Sequence, residues 1–231
     1  RTKDKVVATA VVRGNRRATL AIPNARLWSP ADPFLYDLTA ELVTVQPPGD
    51  GTPRNTPAGM TQAEADAYAS ARIVETGRDR VDSYFGMRKI STGKHPTTAK
   101  PTIFLNNKPI FQNGTLDQGW WPESLLTPPS AEAARYDMQW LQSAGFNMLR
   151  KHIKVEPARY YCDADRLGML IWQDMPSGAL GDQSVRRQSD REATMSSEAM
   201  AQYQLEMARI IGALRAFPSI VMWVTNNEGW G

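Results

Sequence analysis

From Thr102 to the end of the chain, short apolar runs alternate with stretches of helical periodicity, and that alternation constrains the fold more than any other feature. Strand, helix, strand, helix in this order is the signature of βα units stacked on a parallel sheet. Ser130 is placed to cap a helix through Ala144, with Ala133, Tyr136, Trp140, Leu141 and Ala144 on one face and Gly145 as its stop. Phe146 to Leu149 reads as a strand ending in Arg150, Lys151 and His152. Pro157 suits the first position of a helix that stops at Gly168. Met169 to Trp172 is the next strand, ending in Gln173-Asp174. Met200, Tyr203, Met207, Ile210 and Leu214 then recur at helical spacing, with Pro218 beyond them. Ile220 to Val224 is a last buried strand, broken off by Asn226, Asn227 and Glu228.

Counting strands near Ile110, Met148, Leu170 and Val221 gives four βα-type strands. A full (β/α)₈ barrel takes about 250 residues, so residues 99–231 are expected to be its N-terminal half. Residues 1–98 read instead as β structure. Lys5 to Val12 and Arg17 to Ile22 flank the turn pair Gly14-Asn15, and Phe34 to Val45, Ile73-Val74 and Val81 to Ile90 add further runs. The Pro-, Gly-, Ala- and Thr-rich stretch at about 46–72 is expected to be a surface insertion. Four or five strands fall short of the seven or so of an immunoglobulin-like sandwich, so that module is expected to be incomplete at its start. Ser91 to Pro96 is the expected linker between the two. The fold class is thus a partial immunoglobulin-like β-sandwich followed by the first half of a (β/α)₈ barrel.

Composition narrows the function classes. A net charge of +3 over 231 residues, without a dense basic block, gives nucleic-acid binding no electrostatic footprint. No run approaches the ~18 apolar residues of a membrane span. Cys162 is the one cysteine, placed mid-helix among apolar neighbours, so it is expected to be core and no internal disulfide is possible. A secreted or periplasmic bacterial location is compatible with that count. Arg1 is not an initiator methionine, and the true N-terminus with any signal region is expected upstream. No Cys/His cluster points to zinc and no Gly-rich loop to phosphate, so no cofactor is expected.

The strand tips carry the chemistry. A carboxylate at the C-terminal tip of a buried strand is where a barrel of this kind places acid–base work. Glu228 stands there, beside Asn227, whose amide suits a hydroxyl, and Trp230, whose indole suits a sugar ring. Capping of a following turn is the plain alternative for Glu228. Asp174 ends a wholly apolar strand and would either bind hydroxyls or brace its loop. Trp120 and Trp121 lie on an expected loop after the first strand, near Asp117.

Several segments together resemble glycoside hydrolase family 2. Leu27-Trp28-Ser29-Pro30 with Pro33-Phe34-Leu35-Tyr36 looks like the family's immunoglobulin-like domain. Tyr84 to Ile90 is similar to the segment leading into its barrel, and Phe104 to Pro109 to the entry of the first barrel strand. Phe146 to Arg150 resembles its second strand, and Phe217 to Glu228 its fourth, with the Asn-Glu pair. The resemblance implies retaining hydrolysis of terminal β-linked sugars by two carboxyl groups about 5–5.5 Å apart. It makes Glu228 the general acid/base and places the nucleophilic glutamate beyond Gly231. It implies a hydroxyl contact for Asn227, an arginine orienting the nucleophile in Arg150 and a substrate contact for His152, while Asp174, Trp121 and Trp230 are expected as substrate contacts from their places at a strand end and on loops. Where the family more often has a His-Glu pair, this chain has Asp117; its histidine follows the arginine by two residues rather than three. The second hypothesis is a non-catalytic carbohydrate-binding or scaffold protein that keeps the fold without the chemistry. On either hypothesis the isolated chain, offering one of two carboxylates, is expected to hydrolyse negligibly. The expected partner is an oligosaccharide or glycoside.

Overall fold

A computed structural model describes residues 5–12, 17–46, 74–176 and 196–227. The chain packs as two compact units. One lies within Asp37–Tyr84; the other joins the described residues of Thr2–Tyr36 and Phe85–Gly231.

The smaller unit rests on a two-stranded sheet of β1 (Tyr36–Gln46) and β2 (Val74–Phe85). Thr39 Oγ1 donates to Asp82 at 2.8 Å and Arg78 to Glu41 at 2.7 Å, so residue numbers rise on one strand as they fall on the other. That crossing of partners is antiparallel pairing. The expected insertion at about 46–72, beyond Gln46, lies outside the described residues. The strands expected at Lys5 to Val12 and Arg17 to Ile22 do not form: apart from a single bridge residue at Lys5, the described residues there pair with nothing as strand. Val6, Val11 and Val12 are 54%, 92% and 44% exposed, so their β-branched side chains have no face to bury. Strand propensity without a packing partner does not make a strand.

In the larger unit, β3 (Ile90–Lys94), β4 (Pro101–Leu105) and β5 (Lys108–Pro109) form an antiparallel sheet in that order. Ser91 to Lys94, expected as linker, are paired strand residues facing Phe104 to Pro101. Gly93 lets the Phe104 ring lie close, a contact that linker composition did not announce. Between β4 and β5 the two-residue turn Asn106-Asn107 has φ of 53° and 64°, the double left-handed conformation of a tight hairpin. The stretch Phe104 to Pro109 is therefore a hairpin outside the parallel sheet.

The parallel sheet follows: β6 (Gly114–Asp117), β7 (Met148–Lys151), β8 (Leu170–Asp174) and β9 (Ile220–Val224), side by side in chain order. All three pairings are parallel. The first strand begins four residues later than the apolar residue Ile110 suggested. Gly114 explains the register: a Cβ there would sit 2.4 Å from the Met148 carbonyl oxygen.

Three helices connect the strands. Helix α1 (Ala131–Ser143) starts at Ser130, whose hydroxyl accepts from Ala133 N, and closes at Ala144 before Gly145 at φ 88°. Its buried face is not the expected one. Met138 is 1% exposed, while Tyr136 and Trp140 are 63% and 56% exposed. Ala134, Met138 and Leu141 form a second apolar line on the same helix, and the sheet takes that line because Met138 fills the space over Leu149. Helix α2 (Ala158–Leu167) follows Pro157 and ends at Gly168, φ 76°. Helix α3 (Ser197–Leu214) buries Leu214 and half-buries Met200, Tyr203, Met207 and Ile210, the stripe its sequence shows.

Alternation along the strands sends side chains to two cores. Leu149, Ile171 and Ile220 meet the helices with Met138, Tyr160, Tyr161 and Leu214. Met148 and Leu170 meet Trp28 on the other side, with Leu35, Ile110, Trp172 and Val221 around them. Trp28 is fully buried, and its indole N–H donates to the Asp165 carbonyl at 2.8 Å. Arg88 ties the segment after β2 to the start of β9, donating to the Pro218 and Ile220 carbonyls at 3.0 and 2.5 Å. Burial lowers the Arg88 pKa from its usual value.

Trp28→Ala removes a fully buried indole and its hydrogen bond to the Asp165 carbonyl, so unfolding free energy should fall by about 3–5 kcal/mol in urea melts. A loss below about 1 kcal/mol would show that Trp28 does not anchor the second core. Burial also raises the pKa of Tyr160 and Tyr161 above the ordinary 10.0. The unfolded chain then releases phenolic protons that the folded chain retains, so stability present below that value should drain away as pH climbs through it. Melts of Tyr161→Phe across this window should show a shallower decline than wild type.

Candidate active site

Strand β7 delivers Arg150 to the face of the sheet shared with Met148, and β8 delivers Asp174 to the same face. The two meet as a fork: Arg150 Nε and Nη2 each lie 2.9 Å from an Asp174 carboxylate oxygen. Two parallel charge-assisted bonds fix the guanidinium plane as well as its place. Asp174 is 1% exposed, and this pairing offsets the cost of burying a carboxyl group there. Its Oδ2 also accepts from the Ile153 amide at 3.3 Å. Ile153 has φ 44°, a left-handed backbone that a β-branched residue rarely adopts.

Arg150 Nη2 reaches past Asp174 to Asn227 Oδ1 at 2.8 Å. Strand β9 thereby has its tip bound to the tip of β7 across β8. With Oδ1 committed, the side-chain amide nitrogen is what Asn227 can offer to a ligand oxygen. Tyr203 of α3 donates to the Thr225 carbonyl and lies 3.3 Å from Asn226 Oδ1, holding the same tip from the helix side. Partial burial raises the Tyr203 pKa, which keeps this donor protonated.

Of the residues the sequence singled out, Arg150, Asp174 and Asn227 are brought together as one bonded group. His152 is half-buried just past β7, its amide donating to the Asp117 carbonyl, its Nδ1 3.3 Å from the Gln118 amide nitrogen. Trp121 is half-buried in the β6–α1 connection, where two backbone bonds of 2.7 and 2.9 Å pair it with Leu125. Trp120 is 64% exposed. Glu228 and Trp230 lie outside the described residues. Asp117 points to the helix side, where Lys151 holds it at 3.1 Å and the Tyr160 hydroxyl at 2.9 Å. A cavity of about 670 Å³ opens on that helix side, lined by Leu116, Asp117, Trp121, Tyr136 and Tyr160. Arg150, Asp174 and Asn227 have no part in its walls; the convergent polar groups at the strand tips, not the roomier cavity, mark the candidate chemistry.

Sequence reasoning missed Lys151 and Glu156, both nearly fully buried and paired at 2.5 Å. The signal was available: a lysine directly after an apolar strand, followed by Lys154 and Glu156 in six residues, is a charge run that two-sided strand burial forces to pair internally.

Residues 1–48 match the model of the glycosyl hydrolases family 2. Beta-mannosidase B of Thermothelomyces thermophilus is 29% identical over 175 residues, covering 67% of this chain. The chain is related to the family 2 glycoside hydrolases. Among solved structures, the β-D-glucuronidase of Dictyoglomus thermophilum superimposes with a TM-score of 0.65 at 18% identity over 90% of the chain. The β-galacturonidase of Eisenbergiella tayi gives 0.61 at 20% identity over 91%. At such identities these structures show a shared fold. The chain spans 18% of the mannosidase, 30% of the glucuronidase and 29% of the galacturonidase.

Asp174→Ala would leave the Arg150 guanidinium without its counter-charge and free the Ile153 amide. Since Arg150 is partly solvated, a loss of about 2–3 kcal/mol is expected in urea melts. A cost under about 0.5 kcal/mol would mean the fork is not what holds these tips together.

Proposed function

We propose that this chain carries the acid/base half of the active site of a retaining exo-β-glycosidase, on the first four strands of a (β/α)₈ barrel behind a partial immunoglobulin-like module. The observation that carries this reading is Asn227, held by Arg150 at the tip of β9 with its amide nitrogen left to donate. Glu228 follows it directly in the chain.

In this reading Glu228 protonates the departing glycosidic oxygen and later takes the proton from water. A carboxylate supplied by the parent protein outside this chain attacks the anomeric carbon, and two inversions retain the β configuration. Asn227 donates to a hydroxyl of the terminal sugar. Arg150 holds Asn227 and lends positive potential to the strand-tip face, favouring ionised carboxylates there. Asp174 braces that arginine rather than meeting the sugar first, because both its oxygens are already accepting. His152 supplies part of the wall, and Trp230 offers its indole to the sugar ring. The relatives' names, a mannosidase, a glucuronidase and a galacturonidase, support a terminal β-linked sugar as substrate class.

Glu228→Gln in the full-length parent protein should lower kcat on aryl β-glycosides by roughly 10²–10⁴-fold. Azide should restore turnover on substrates with activated leaving groups, because they need no proton. Undiminished activity of the variant would overturn the assignment of Glu228.

A further inference from the structure

The helix-side face of β7 holds a second polar group that the mechanism above does not use. Lys151, 1% exposed, lies 2.5 Å from Glu156 Oε1 and 3.1 Å from Asp117 Oδ1, with its ammonium 5.1 Å from the Tyr160 ring centre. Lys154 reaches the same Glu156 oxygen at 2.7 Å and donates to the carbonyls of Gly119 and Leu126 at 2.9 and 2.5 Å. Asp117 also accepts from Gly119 N and the Tyr160 hydroxyl, each at 2.9 Å. Two cations and two carboxylates balance, largely out of water.

Gly119 closes the group. Its φ is 69°, and a Cβ would lie 2.5 Å from Lys151 Nζ, 2.6 Å from Lys154 Nζ and 2.7 Å from Glu156 Oε1. A side chain there would have to displace those three charged ends. Glu156 Oε2 is buried without a hydrogen-bond partner, so the carboxylate is used on one side alone. An arrangement tuned for stability would be met as well by apolar residues of similar size. What four charges give, and methyl groups do not, is a fixed register between the segments that supply them.

Those segments are the two strand-end connections. Gly119 and Leu126 belong to the one after β6; Lys154 and Glu156 belong to the one after β7. Outward from the cluster, the same connections carry Gln118 and His152, whose side chains meet at 3.3 Å. Ile153, between the cluster and the Asp174 carboxylate, is pinned in its left-handed conformation from both directions.

We infer that the cluster of Asp117, Lys151, Glu156 and Lys154, closed over Gly119, is a positioning device that sets where Gln118 and His152 stand at the strand tips. Granted the glycosidase reading, Gln118 and His152 form one wall of the sugar subsite and the cluster tunes its shape. The cluster residues touch no substrate themselves.

The test is Gly119→Ala, read two ways. In the present chain, the ring-proton NMR resonances of His152 should shift while those of His95, the other histidine, stay as an internal reference. In the full-length protein, KM for aryl β-glycosides should rise about tenfold with kcat nearly unchanged, the pattern of lost ground-state positioning. Should Gly119→Ala not fold, Lys154→Met removes the more accessible cation, leaves Lys151 with both carboxylates, and serves for both readouts. A folded variant with unmoved His152 resonances and unchanged KM would overturn the inference. If the wild-type parent hydrolyses no aryl β-glycoside, the function proposed above fails, and the His152 resonances alone decide the positioning role.

Discussion

Two cations adjacent in sequence leave β7 on opposite faces of one sheet, Lys151 out of water and Arg150 partly so, and each is matched by a carboxylate. Arg150 goes to the side of Trp28 and Met148, Lys151 to the side of the helices. An unpaired ammonium or guanidinium at such a site would cost several kcal/mol. The partners are therefore not optional: Asp174 and Asn227 on one face, Asp117 and Glu156 on the other. Because those partners come from β6, β8, β9 and the β7–α2 connection, neutralising one dipeptide fixes the ends of all four strands.

This division of labour separates holding from presenting. Apolar contacts lower in the sheet supply the bulk of the burial: Leu149, Ile171 and Ile220 toward the helices, Met148 and Leu170 toward Trp28. Such contacts are non-directional and would tolerate small rotations of a strand. The charged groups at the tips are directional and do not. Ile153 marks the cost, since a β-branched residue in left-handed backbone persists when its surroundings over-determine it. Here its amide is held by Asp174 and the residues beyond it by Lys151 and by Gln173, whose amide donates to the Lys154 carbonyl.

What the sequence made legible follows the same line. Helix limits at Ser130, Gly145, Pro157 and Gly168 were readable because capping and left-handed stops are local chemistry. Three of the four parallel strands were readable because each is an apolar run long enough to show; the first, Gly114–Asp117, carries one apolar side chain and was expected early, near Ile110. The meeting of Arg150, Asp174 and Asn227 was foreshadowed only as separate candidates at strand ends. The failures are of another kind. Val6 to Val12 has strand composition and no partner, so propensity had nothing to act on. Tyr136 and Trp140 outweighed Met138 in size, yet α1 turned Met138 inward; which of two apolar lines a helix buries is decided by the surface it meets. Ser91 to Lys94 looked like linker because its pairing partner lies across a turn, at Pro101 to Phe104. Lys151 and Glu156 escaped notice because a charge run ordinarily means a solvated face, and here neighbouring strands close over it.

The choice of residue at each of the two positions completes the argument. Arginine presents a planar fork that can take both oxygens of Asp174 and still extend one N–H to Asn227; a lysine at 150 has no such fixed two-pronged plane. Lysine presents a compact point charge that fits under Gly119 between two carboxylates and over the Tyr160 ring. A guanidinium at 151 would need the space that Gly119 and the Lys154 ammonium already fill. Exchange of the two residues would keep the net charge and the hydropathy pattern of β7 unchanged. It would nonetheless lose the two-pronged hold on Asp174 on one face and crowd the connections on the other. The shape of each cation, rather than its charge, is what ties this sheet to the site at its edge.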